Sequence, residues 1–244
     1  MRKFLSLLLM LALALPQAAM AQSLSLNLGD GGSSSARIIQ MIALLGVISL
    51  APSIVIMMTS FTRIIVVLSL LRSALGLQQT PPNAVLMSLA LFLSFFIMAP
   101  TLEKSYEEGV LPLIEEQITE KQAFDLALKP FHEFMLKHVR EKDLQVFVDM
   151  AGSPKIETPE DTPYRILIPA FMISELKRAF EIGFLIFIPF LVIDMFVAAT
   201  LMSMGMMMLP PVMISLPFKL IFFVVVDGWY MLAGSLVESF RVSL

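Results

Sequence analysis

Two long apolar segments near the C-terminus carry three ionisable side chains: Asp194 in the first, Lys219 and Asp227 in the second. An ionisable group inside an apolar segment is costly unless it is paired or wetted, so each of the three marks a site. Their types and spacing admit three chemistries. Asp194 and Asp227 could share a proton as the carboxylate pair of an intramembrane aspartyl protease. That class carries a Gly-x-Gly context, however, and here only Asp227-Gly228 is present. Polar groups in apolar helices could also serve a small-solute channel or transporter. Such proteins are commonly built from internal repeats, and the hydrophobic segments here show no evident symmetry. The third chemistry is an ion pair between Asp194 and Lys219. They lie 12 and 13 residues from Met206 and Met207, so antiparallel arms meeting there would place both about 18 to 20 Å from the tip. A pair of this kind would set the register of a hairpin more than it would add net stability.

At that tip stand Met202, Met204, Met206, Met207 and Met208, followed by Pro210 and Pro211. Consecutive helical residues point about 100° apart, so Met206, Met207 and Met208 cannot share one buried face, and a hairpin tip has little core to fill. Repeated around a ring, they would form a soft apolar collar that seals against ions and yields to passing side chains of many shapes. The histidines suggest less. The zincin pattern needs its second His three residues after the Glu, whereas His138 follows Glu133 by five, and there is no cysteine to complete a metal site. No Ser-His-Asp arrangement or phosphate-cradling loop is present, so neither enzymatic activity nor a cofactor is expected. A formal net charge of -3 gives no sign of nucleic-acid binding.

The elements that must hold these residues are membrane elements. The chain is 57% hydrophobic with a mean hydropathy of +0.84, more than a water-soluble domain of this length needs. Arg2 and Lys3, the apolar stretch from Phe4 to Leu15, and Ala19-Met20-Ala21 read as a signal peptide over 1-21 cleaved after Ala21. Residues 22-37 have the composition of a flexible linker. A hydrophobic hairpin is expected over 38-100, although Ile38 to Leu71 as one helix would be about 50 Å long, against a hydrocarbon core of about 30 Å. It must therefore bend, tilt or protrude, with Pro52 as the break and Thr59, Ser60, Thr62 and Arg63 as the lower boundary. Arg63 and Arg72, with no acid nearby in sequence, read as the basic residues of a cytoplasmic loop.

Residues 101-183 hold 26 of the 37 charged residues and read as a helical domain on the periplasmic side. Thr119 with Gln122 fits a capping box, and Phe124, Leu128, Phe131 and Met135 form one apolar stripe. A further helix is expected to start near Pro169. Glu175 with Arg178, and Lys177 with Glu181, fall on neighbouring faces of that helix. A solvated face is the favoured reading; the rival is an inter-subunit contact formed by Glu175, Arg178 and Phe171. Residues 184-244 complete the chain as the C-terminal hairpin with the methionine-rich tip.

Five stretches then carry a resemblance: Pro169-Ala170-Phe171-Met172-Ile173-Ser174-Glu175-Leu176, Ile193-Asp194-Met195, Met204-Gly205-Met206-Met207-Met208-Leu209-Pro210-Pro211, Leu216-Pro217-Phe218-Lys219 and Val226-Asp227-Gly228-Trp229. Together they resemble the FliP family of flagellar export-gate proteins, over essentially the whole chain. Injectisome homologues are the nearest relatives of that family, and the signal peptide and Met triplet favour the flagellar branch. The resemblance implies an all-α, non-enzymatic subunit of the channel that exports unfolded flagellar proteins from the inner membrane. About five copies would join FliQ and one FliR in a ring-like helical multimer, closed head to tail, with FlhA and FlhB as energy-coupling partners. It also implies that the assembled subunits sit largely above the membrane plane, their apolar arms buried against one another. By position, Met206, Met207 and Met208 would be a gasket around the pore, and Asp194 with Lys219 the charge pair of the hairpin.

Overall fold

The computed structural model describes residues 56-152, 158-206 and 209-241, with scattered positions between 38 and 54. The chain divides after residue 48. In the N-terminal unit the described positions 38, 39, 41, 42, 45 and 46 are helical. The expected signal peptide, the linker and Pro52 lie outside the described residues.

The larger unit is all-α among the described residues. Its centre is α1, Phe61–Ala74, which follows a break at Met58, Thr59 and Ser60. The break falls in the polar stretch read as a boundary. Thr59 Oγ1 donates to the Ile56 carbonyl at 2.8 Å and accepts from the Phe61 amide at 3.3 Å, satisfying groups a helix start would leave open. Ile64, Val67, Leu68 and Leu71 recur at three and four residues and are all buried, as a core-facing stripe requires.

Against α1 pack α2, Asn83–Ser105, and the 40-residue α6, Tyr164–Ser203. One core joins Ile64, Leu68 and Leu71 of α1 with Leu86 and Ala90 of α2 and Ala179 and Phe190 of α6. A second, around Met98, Phe131, Met135, Leu167 and Phe171, anchors the polar segment. Helix α2 passes through a π-turn, Tyr106–Val110, into the single turn α3, Leu111–Ile114. Gly109 of the π-turn lies so close to the next long helix that an added Cβ would sit 2.7 Å from both the Cβ and the amide nitrogen of Ala127. Ser105 Oγ closes the same crossing with a 2.8 Å bond to the Ala127 carbonyl.

That next helix is α4, Glu120–His138. It starts at the capping box read from the sequence: Thr119 N donates to Gln122 Oε1 at 3.0 Å, and Gln122 N donates to Thr119 Oγ1 at 3.4 Å. Its apolar stripe is buried only in part. Phe131 and Met135 face the core, but Phe124 is 64% exposed, and it is Ala123 beside it that is buried in the first turn of α4. Helix α5, Glu141–Ala151, is tied to α6 through Asp143. Ser174 donates to Asp143 at 2.6 Å, and Arg140 holds the same carboxylate with bonds of 2.8 and 2.7 Å. Burial pushes the Asp143 carboxyl up, but the Ser174 and Arg140 hydrogen bonds outweigh it and hold the group below its ordinary range.

Helix α6 starts at Tyr164, five residues before the expected Pro169. Pro163 supplies the carbonyl that accepts the first amides, from Ile166 at 2.9 Å and Leu167 at 3.0 Å. Pro169 and Pro189 lie inside the helix. Each removes one donor, a loss set against the buried Leu167, Ala170 and Phe171 around Pro169 and the buried Phe190 beside Pro189. The expected boundary at 183/184 lies within this one rod. At about 60 Å it is twice the thickness of a hydrocarbon core. Among the described residues, two stretches, Asn83–Ile114 and Tyr164–Ser203, are long and apolar enough to cross a membrane. The last two helices, α7 Pro211–Val225 and α8 Gly228–Arg241, make a third if the pair, bent by 64°, is counted as one.

Candidate functional site

The hairpin tip is built by a helix stop. Gly205 adopts φ +74°, its amide donates to Met202 O at 3.1 Å, and the Met206 amide donates to Leu201 O at 2.9 Å. This is the Schellman pattern, which ends α6 at Ser203 and needs a glycine at the left-handed position. The chain turns there, and after the extended Pro210 the ring of Pro211 fixes a φ suited to the first position of α7. Met206 therefore lies beyond the helix end, so the 100° spacing of helical neighbours does not govern it. Met202, Met204 and Met206 are 58, 62 and 43% exposed. Met207 and Met208 lie outside the described residues.

Nine residues behind the end of α6 stands Asp194; eight beyond the start of α7 stands Lys219. The structure brings them together: Lys219 Nζ donates to Asp194 Oδ2 at 2.6 Å. Lys219 is buried, and its ammonium also donates to the Ala74 carbonyl at 3.0 Å, one of the open carbonyls at the C-terminal end of α1. The other carboxylate oxygen of Asp194 accepts from Ser215 Oγ at 2.5 Å. Two arms of a hairpin and the central helix thus meet at one hydrogen-bonded ion pair. Asp227 takes no part. It is exposed, with φ +53°, and forms the left-handed turn between α7 and α8, a conformation aspartate tolerates better than most residues.

The structure does not place Glu175 on a solvated face. It is fully buried, and Arg63 holds its carboxylate at both oxygens, Nε to Oε2 at 2.8 Å and Nη2 to Oε1 at 2.5 Å. The remaining guanidinium nitrogen donates to the Ser239 hydroxyl at 2.9 Å and carbonyl at 3.2 Å. The guanidinium lies 3.7 Å from the centre of the Phe240 ring, a cation–π contact. Arg63 is thus not a loop cation, and Arg72 alone of the two is left to mark the first loop as cytoplasmic. Glu175 and Phe171 are both buried inside the chain, which leaves neither available as a subunit contact; Arg178 is half-buried. Lys177 and Glu181 are exposed and 3.8 Å apart, a surface pair worth little. Arg72 bridges the first loop, donating to Asn83 Oδ1 at 2.6 Å and Pro81 O at 3.2 Å.

Arg63 and Ser215 are the participants that sequence reasoning missed. An arginine next to the apolar run Ile64–Leu68 carried the same signal as Asp194, a lone charge in an apolar segment. Of the histidines, His132 Nε2 lies 2.7 Å from the Thr162 carbonyl, which can only accept, so this nitrogen carries the proton. His138 is buried between Phe134 and Phe240 at ring distances of 4.6 and 5.3 Å.

A family model described as the FliP family matches residues 44–236. The flagellar biosynthetic protein FliP of Caulobacter vibrioides is 61% identical over 87% of this chain and 80% of its own length. The protein of the same name from Bacillus subtilis is 56% identical, covering 83% of this chain and 91% of its own. That from Agrobacterium fabrum is 52% identical over 86% of each.

Proposed function

The chain belongs to the FliP family, and from that premise we propose that it is a structural and gating subunit of the flagellar type III protein export gate. Copies of the chain, about five, close head to tail with FliQ and FliR, and unfolded flagellar proteins pass through the channel they enclose. FlhA and FlhB couple energy to the passage. The assembly stands at the flagellar basal body in the inner membrane, with much of it on the periplasmic side. The chain binds and positions; it catalyses no reaction.

The observation that carries this reading is the helix stop at Gly205 with Met202, Met204 and Met206 exposed around it. Exposed methionines at a glycine stop, joined to two apolar helices whose register is pinned by a buried lysine, form a soft surface on a fixed support. Unbranched thioether side chains adapt to many shapes, and an apolar constriction excludes ions by shedding water. Met206, Met207 and Met208 form the collar, and Asp194 with Lys219 holds it in place.

Changing Met206, Met207 and Met208 together to alanine tests the collar. The assembly is expected to form, and the resting inner membrane to leak small ions, read as dissipated membrane potential in cells carrying the variant. A variant that stays ion-tight and exports normally overturns the gating role.

A further inference from the structure

A groove of about 560 Å³ opens between the C-terminal ends of α2, α4 and α8. Its floor is apolar, formed by Phe96, Ile97 and Pro100 of α2 and Val237 and Phe240 of α8. Its rim is basic. Lys104 stands in the last turn of α2, Lys137 in the last turn of α4 and Arg241 in the last turn of α8, and all three line the groove.

A cation in the last turn of a helix compensates the helix dipole, and that would explain each residue singly. It does not require three helix ends to bring their cations to one cavity. All three side chains are exposed, and none makes an ion pair among the described residues. The one carboxylate in the lining is Glu133, which leaves the groove a net charge of +2. Burial, then the charges of Arg63, Arg178 and Lys137, depress the His138 imidazole in the wall to about 3, so it adds no charge near neutrality.

Charge and polarity are also ordered along the groove. Phe96 and Lys104 are eight residues apart on α2, about 12 Å; Val237 and Arg241 are four apart on α8, about 6 Å. Helix α2 belongs to a stretch apolar enough to enter a membrane, α8 to the bent pair that passes with α7, and each carries a cation in its last turn. An apolar trough that becomes cationic at one end fits a molecule with hydrocarbon at one end and a phosphate at the other. Basic pockets between apolar helices bind anionic lipid headgroups on this principle.

We propose that this groove is a binding site for an acidic phospholipid, with the acyl chains along Phe96, Ile97 and Val237 and the phosphate between Lys104, Lys137 and Arg241. The proposal is independent of the gating role.

The test is native mass spectrometry of the full-length chain in detergent, exposed to equal amounts of phosphatidylglycerol and phosphatidylethanolamine with the same acyl chains. Preferential retention of phosphatidylglycerol is expected, weakened about fivefold for each of Lys104→Gln, Lys137→Gln and Arg241→Gln, and lost in the triple variant. The single variants guard against misfolding of the triple. A control triple on exposed cations outside the lining, Lys121→Gln with Lys142→Gln and Lys177→Gln, should retain the preference. Three outcomes overturn the proposal. Equal retention of the two lipids by the unaltered chain would assign the cations to an acidic protein partner. Equal loss in the control triple would mean diffuse attraction to charge. Displacement of the lipid by millimolar glycerophosphate alone would mean that the groove recognises phosphate and not lipid.

Discussion

Breaking the Arg63–Glu175 pair from one side leaves a buried charge uncompensated, a change that costs about 3–5 kcal/mol. Glu175→Ala is therefore expected to lower the unfolding temperature of the detergent-solubilised protein far more than Glu181→Ala, whose partner is solvated. The double change Arg63→Met with Glu175→Leu, which removes both charges and keeps the volume, should recover most of the loss. A single variant that behaves like the surface one would show that the pair does not clamp the fold. His138 sets a pH dependence. Its ordinary value of 6.5 falls to about 3 in the fold, first through burial and then through Arg63, Arg178 and Lys137. The unfolded chain takes up this proton near pH 6.5 while the folded chain holds it off until about pH 3. The contribution is complete above pH 6.5 and is lost as the pH falls toward 3. His138→Phe should flatten the decline in thermal stability over that window. The Asp194–Lys219 contact was legible because both charges lie at matched distances from one turn. Arg63 and Glu175 are 112 residues apart, whereas local spacing points only to Arg178, three residues on, whose charge also acts on Glu175.

The helices were legible where the signal is local. Thr119 with Gln122 marks the start of α4 because both halves of the capping box are side chains of the helix they begin. Gly205 could have marked the end of α6 by the same logic, since a left-handed stop favours glycine. The start of α6 was misplaced because a proline inside a helix reads as its first turn, and only packing on Leu167 and Phe171 shows that the helix already exists. The π-turn at 106–110 has no local signal, as its glycine answers to a helix not yet reached in sequence. Gly109→Ala would drive a Cβ into the Cβ and backbone of Ala127, an overpacking that costs about 1–3 kcal/mol. Ala127→Gly should relieve only part of it, because the Ala127 amide nitrogen is just as close. Chemical denaturation of the two variants checks both statements.

Large apolar side chains remain exposed along α2, α6 and α7, among them Phe92, Phe184, Phe196 and Val224 at 75, 67, 74 and 75%. A chain this incompletely covered requires lipid or other protein around it. Co-expressed with its small membrane neighbours and purified in detergent, it is expected to appear by native mass spectrometry as a multi-copy assembly containing them. A lone monomer or simple dimer in their presence would favour a solute transporter and make the methionines ordinary packing. The Arg63–Glu175 and Lys219–Asp194 pairs share one element: Glu175 and Asp194 stand 19 residues apart on α6, about 28 Å along its axis. The helix is a beam riveted at two points, to α1 through Arg63 and to α7 through Lys219. A load applied at the methionine tip enters the beam beyond the second rivet. Between the rivets the only missing donor is at Pro189, so the beam is most compliant there. On the gating role proposed above, strain from a passing polypeptide is kept in the apolar half, and the polar half is spared the recoil.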